Sequence, residues 1–202
     1  MELIIENQVM NFELMKLVII ENNLENIFSK NKKTLKYFLE KAVNNKKNRL
    51  HKIAGQQLEK YSSYLNLSIG EFLFKLKSVN NLDYKLYLNK YGDEKFCRYK
   101  IEGFLNDKGI YCYVVDNEIK YIGRSKKTFK ERFNEYGKIT PYNCLIDGQS
   151  TNCRVNAKIN SLKKNEVYVG IFKMTNSSNE QIKDLETKIL SLGNFEWNIQ
   201  KS

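Results

Sequence analysis

The chain has 202 residues, 42% hydrophobic and 12% aromatic, enough for one medium domain or two small ones with a real core, so it should fold as a soluble globule. Its 34 Lys and Arg against 23 Asp and Glu leave a formal charge of +11, which attracts a polyanion by counterion release and is also what a lysine-rich solvated surface gives. Cys97, Cys112, Cys144 and Cys153 include no C-x-x-C pair and His51 is the single histidine, which excludes a Cys/His zinc set and leaves four reduced, mostly buried thiols.

Near the start, Glu2, Glu6, Glu13 and Lys16 interrupt every apolar run long enough for a signal segment or membrane span, so a cytoplasmic setting without a membrane partner is expected. From Asn7 to about Val79 the pattern reads as helical, with Phe12, Met15, Val18 and Ile19 spaced three and four apart, and Leu35, Phe38 and Leu39 likewise. Ser68 and Glu71 form a capping box before Phe72, Leu73 and Leu76. Lys32, Lys33, Lys46, Lys47, Arg49 and Lys52 make the intervening stretch basic, as a solvated helical face or a phosphate-contacting one would be. The texture changes after residue 80. Tyr84, Leu86 and Leu88 alternate as in a strand, Phe96 to Ile101 form another, and Asn106, Asp107 and Lys108 turn the chain.

Gly109 to Val115 and Ile119 to Gly123 are aromatic and β-branched runs around Asp116, Asn117 and Glu118, the pattern of a β-hairpin. A three-residue loop pairing Val115 with Ile119 sets Tyr113 opposite Tyr121 and Tyr111 diagonal to it, with both Tyr111 and Tyr121 on one face. A two-residue loop would put them on opposite faces. Thr128 with Glu131 then caps a helix in which Phe129, Arg132, Phe133 and Tyr136 fall three and four apart. Arg132 therefore sits within an apolar stripe, either snorkelling at the core edge or aimed at a phosphate.

Gly137 to Thr151 reads as a polar loop, followed by a helix from Asn152 through Lys163 and a strand from Glu166 to Met174. In the last helix Ser177 and Glu180 form a capping box, Gly193 follows the final turn, and Ile182, Leu185, Ile189 and Leu192 define the buried stripe. Glu186 lies in that stripe, where a carboxylate is costly unless paired or bound to metal. Glu186-Thr187-Lys188 also spells the E-x-K of another nuclease class, but that motif needs strand alternation, and a helical period sends Lys188 away from Glu186.

The two complete triplets, Gly109-Ile110-Tyr111 and Tyr121-Ile122-Gly123, resemble the signature of the GIY-YIG nuclease superfamily, over about residues 107 to 200. The resemblance implies an α+β fold: a GIY-YIG domain with a small mixed or antiparallel three-stranded sheet flanked by helices, preceded by a mainly helical N-terminal region. Residues 1–95 would then contact DNA or dimerise, and 96–202 would form the catalytic domain, with an insertion at about 137–165. It further implies catalytic roles for Tyr111, Tyr121, Arg124, Arg132, Tyr136 and Asn198, and metal binding by Glu186. The stretch from Gly148 to Asn156 is similar to the small type II restriction enzymes of the family, and Lys126, Lys127, Asn152, Arg154, Asn156 and Lys158 are the candidate DNA contacts.

The activity so implied is hydrolysis of double-stranded DNA with one Mg²⁺ or Mn²⁺ per site and no small-molecule cofactor. Tyr111, as phenolate or through relay from Tyr121, would deprotonate water, with Arg124, Arg132 and the metal lowering its pKa. Arg132 would clamp the phosphate and Glu186 hold the ion. A palindromic site would require a homodimer. A repair or mobile-element nuclease and a non-catalytic DNA-binding protein are the alternatives, while an HNH site is disfavoured by the single histidine.

Overall fold

The N-terminus is strand rather than helix. In the computed structural model, which describes residues 1–5, 8–103, 105–162 and 166–199, β1 (Glu2–Ile5) pairs antiparallel with β2 (Gln8–Asn11), and β3 (Glu13–Leu24) follows. Asn7, where the helical pattern was expected to begin, lies outside the described residues. The three-and-four spacing that mimics a helix arises from a change of parity. Met10 of β2 and Phe12, the residue between the two strands, are buried, and so are Met15 and Leu17 of β3. Each pair alternates with a period of two, and the offset puts Phe12 and Met15 three apart. The β-branched run Val18, Ile19 and Ile20 favours the extended chain.

The helical reading holds from a 3-10 turn at Ile27–Lys30 onward, through α1 (Leu35–Val43), α2 (His51–Lys60) and α3 (Ile69–Ser78). Thr34 caps α1 by accepting from the Tyr37 amide, and the Ser68–Glu71 box caps α3 as expected. The strand expected at Tyr84 to Leu88 is instead a 3-10 helix, Leu82–Tyr87. Asn81 accepts from the Asp83 amide at its start, and Tyr84 and Tyr87, three apart, both turn inward.

The chain continues through β4 (Phe96–Ile101), β5 (Gly109–Val115), β6 (Glu118–Ser125), α4 (Phe129–Gly137), α5 (Pro141–Cys144), α6 (Ser150–Ser161), β7 (Val167–Lys173) and α7 (Asn179–Leu192). The expected polar loop thus holds α5, and the helix after it starts earlier than Asn152; its expected end at Lys163 is outside the described residues. The α7 capping box is one residue later than expected, Ser178 with Gln181, and Leu192 is exposed rather than part of the buried stripe.

Two compact units result: Met1–Glu21, Arg98–Lys138 and Ser161–Ser202 form one, Asn22–Cys97 and Ile139–Asn160 the other. These units are discontinuous in sequence and differ from the division into 1–95 and 96–202. The N-terminal strands belong with the hairpin, and most of the expected insertion belongs with the helices. The helical unit has its own core, with Phe28, Leu35, Leu39, Phe72, Tyr87, Cys144 and Cys153 fully buried.

The main sheet has five strands, not three, in the order β4-β3-β7-β5-β6. β5 pairs antiparallel with both β6 and β7, and β7 pairs antiparallel with β3. One face of the hairpin, with Ile110, Cys112, Val114 and Ile122, packs with Met10, Phe12 and Phe195 and with Ile182 and Ile189 of α7. The other presents Tyr111, Tyr113 and Tyr121 to Phe133 and Tyr136 of α4. All four cysteines are buried and free, and burial pushes the Cys97 and Cys112 thiols up to about 12. Among the described residues no helix is long and apolar enough to cross a membrane.

Candidate active site

Backbone geometry explains why each triplet carries a glycine. Gly109 has φ +146°, and a Cβ there would run into the Phe172 carbonyl oxygen. At Gly123 a Cβ would stand 2.5 Å from Tyr111 Oη and 2.8 Å from Tyr121 Cε1. Both tyrosines therefore close over Gly123, and no side chain fits beneath them.

The turn between the strands is the two-residue kind that had been expected to separate the tyrosines. Asp116 and Asn117 both take positive φ, 51° and 63°, and Val115 pairs with Glu118 rather than Ile119. A bulge corrects the register. Val114 pairs with Ile119 but Tyr113 with Tyr121, so Lys120 is the extra residue and every later side chain changes face. Tyr113 thus faces Tyr121 as expected, and the Tyr111 and Tyr121 rings lie 6.1 Å apart.

Arg132 organises the phenols. Its Nε donates to Tyr111 Oη at 3.2 Å, Nη2 to Tyr136 Oη at 2.8 Å and Nη1 to Glu135 at 2.9 Å. Tyr111 in turn donates to Tyr136 Oη at 3.0 Å, and Tyr121 and Tyr136 share a bond of 3.2 Å. The guanidinium lies 4.5 Å from the centre of the Tyr136 ring. These contacts commit three of the five guanidinium N–H groups among the described residues, and the rest can meet a ligand. The rotamer is fixed, unlike that of an arginine snorkelling from a core edge.

Burial opposes the lowering of the Tyr111 pKa that Arg124, Arg132 and a metal ion were expected to bring. Tyr111 and Tyr136 have no exposed surface, and burial raises both phenols well above the ordinary range. At Tyr111 the neighbouring Tyr121 adds to the rise and Arg132 offsets only part of it. Tyr111 is therefore a neutral hydrogen-bonding group at physiological pH.

Glu186 and Arg124 form a second cluster. Arg124, paired with Ile110 across the hairpin, is on the α7 face of edge strand β6, and its Nη1 forms an ion pair with Glu186 Oε2. The Glu186 side chain is only 14% exposed, and burial raises its carboxyl above the ordinary value despite the pull of Arg124. The six candidate residues and Glu186 thus do not form a single cluster. Tyr111, Tyr121, Tyr136 and Arg132 gather on one face, Arg124 and Glu186 on the other. The two arginines converge at the edge, where both line a pocket of about 160 Å³ with Ser125, Lys126, Lys127 and Glu135. Glu186 and Arg124 also line an open cavity of about 930 Å³ with Lys183, Thr187 and Asn198.

Asn198 has a positioning place. Its Oδ1 accepts from the Ile122 amide and its Nδ2 donates to the Ile122 carbonyl, both at 2.9 Å, while the Trp197 amide donates to the Lys120 carbonyl at 2.8 Å. The last segment is stapled along β6, and both polar groups of Asn198 are used in doing so.

Among the candidate DNA contacts, Lys126, Lys127 and Lys158 are exposed, whereas Asn152, Arg154 and Asn156 are buried. Asn156 accepts from the Cys97 amide at 2.8 Å and donates to its carbonyl at 2.9 Å, and Asn152 donates to Gln149. These three side chains are interior groups, since α6 is buried on all sides from Asn152 to Asn156. Glu135 is the site residue that sequence patterning did not single out; its signal is the i,i+3 spacing from Arg132.

A divalent ion fits this donor set only in one mode. Among the described residues no three His, Cys, Asp or Glu side chains come together. A single carboxylate at a roomy cavity suits a hard ion that keeps most of its water, as Mg²⁺ does, and not an all-protein cage. No protein-family model, no curated protein and no solved structure matches the chain.

Proposed function

We propose that the chain is a metal-dependent endonuclease hydrolysing phosphodiester bonds of double-stranded DNA, a GIY-YIG enzyme as the two triplets imply. The observation that carries this reading is Arg132, held by Tyr111, Tyr136 and Glu135 with N–H groups to spare, in one pocket with Arg124, Lys126 and Lys127. A fixed guanidinium at a basic rim is a preorganised receptor for phosphoryl oxygens.

In this reading Arg132 binds the scissile phosphate, Tyr111 and Tyr136 keep its fork in place, and Lys126 and Lys127 hold flanking phosphates. Glu186 would hold one Mg²⁺ or Mn²⁺, releasing Arg124 to the substrate. When bound, the ion supplies Lewis-acid charge and acidifies water. Tyr121, 6% exposed and hydrogen-bonded to Tyr136, is the phenol of the trio nearest solvent.

Type II restriction, with a homodimer on a palindromic site, is the subtype the resemblance favours. Of the stretch from Gly148 to Asn156 that suggested it, Asn152, Arg154 and Asn156 are buried, so this finer assignment rests on the resemblance and not on exposed DNA-reading groups. Incubating the protein with supercoiled plasmid and Mg²⁺ tests the proposal. Nicked or linear products from the wild type and none from Glu186→Ala support it, whereas retention of intact DNA by both would make the chain a DNA-binding module.

A further inference from the structure

The pocket at the edge of β6 holds four cations, Arg124, Lys126, Lys127 and Arg132, and one acid, Glu135. Glu135 uses its oxygens separately: Oε2 accepts from Arg132 Nη1 at 2.9 Å, while Oε1 stands 3.9 Å from Lys127 Nζ. A phosphate bridging the same two cations would place two of its oxygens in the same way. The side chain is one third exposed, so it has a path to water when displaced.

We propose that Glu135 is the resident anion of this pocket, standing in for two phosphodiester oxygens and giving up its place between Arg132 and Lys127 when a nucleic-acid phosphate binds. This rests on reading Arg132 as the phosphate clamp and adds a specificity-determining residue to it. The carboxylate and a phosphate carry like charge and cannot share the guanidinium edge, so entry requires breaking a charge-assisted hydrogen bond. A lone monoanion offers little in return. A duplex, whose neighbouring phosphates also engage Lys126, replaces the lost bond with several. Glu135 therefore sets a threshold that free anions fail and polyanions pass.

The test compares wild type with Glu135→Gln, which keeps the shape and removes the charge, using a fluorescent DNA duplex without divalent ions and inorganic phosphate as competitor. Glu135→Gln should bind the duplex roughly tenfold more tightly, the factor for one such bond no longer broken, and phosphate should displace a trace of duplex, held well below its Kd, at a roughly tenfold lower concentration. Glu135→Ala should shift both readings in the same direction. Equal or weaker duplex binding by Glu135→Gln at unchanged melting temperature overturns the proposal and makes Glu135 a positioning group for Arg132, whereas failure of both proteins to bind either probe overturns it together with the phosphate-clamp reading beneath it. Cleavage is read separately in Mg²⁺: a wild type that binds but never cuts sinks the nuclease reading, while the binding comparison still decides the role of Glu135.

Discussion

Replacing Glu186 by Gln should abolish activity and leave the metal-free fold as stable as before, or more so. The carboxylate is 14% exposed, and burial raises its pKa above the ordinary value even with Arg124 paired to it. A carboxyl group with a raised native pKa binds its proton more tightly in the folded state. Its contribution is fully present below the unfolded value and is lost as pH rises through the native one. At neutral pH the ionised group is then a net burden on the fold. Melting curves in EDTA from pH 4 to 8 would read this directly. The two proteins should converge at the acid end, with Glu186→Gln equal or higher near pH 7. Adding Mg²⁺ should raise only the wild type, by about 2.7 kcal/mol at a hundredfold excess over Kd. A Glu186→Gln protein melting well below wild type at pH 7 would refute the reasoning, because the pair with Arg124 would then be a structural bridge.

Gly123→Ala should destabilise the fold by about 1–3 kcal/mol in thermal melts and reduce cleavage with it, since the new methyl group meets Tyr111 Oη at 2.5 Å. Arg132→Lys keeps the charge but loses the fork shared by Tyr111, Tyr136 and Glu135; single-turnover rates should fall about 100- to 1000-fold, with a smaller fall in duplex affinity in Ca²⁺. Tyr111→Phe should slow cleavage while leaving the shape of the pH–rate profile intact, because burial keeps this phenol protonated; loss of a limb of the profile would instead identify Tyr111 as the base.

Local signals were legible where the hydrogen bonds that decide them are local. The boxes Ser68–Glu71 and Thr128–Glu131 were readable because cap and partner are three residues apart, and the last helix slipped by one only because Ser177 and Ser178 are adjacent. The placement of Arg132 and Glu186 followed from helical phase. Features set by distant partners were not readable. The bulge at Lys120 depends on which residues of β5 pair with β6, and it turned an expected three-residue loop into a two-residue one with the same facing of Tyr113 and Tyr121. Asn156 was a candidate DNA contact, yet its amide satisfies the backbone of Cys97, 59 positions away. Phe12 and Met15 looked helical because a strand break shifts parity between them. The division of the site across the two faces of β6 likewise needed the register, since Arg124 shares its face with Ile122 and not with Tyr121.

The most direct test of the central claim is to sequence the ends left on phage DNA after exposure to the protein and Mg²⁺, alongside Glu186→Ala. Ends bearing 5′-phosphate and 3′-hydroxyl, recurring at one sequence and missing with Glu186→Ala, are the expected result. Intact DNA, or the same ends from both proteins, would contradict a nuclease site built on Arg132 and Glu186.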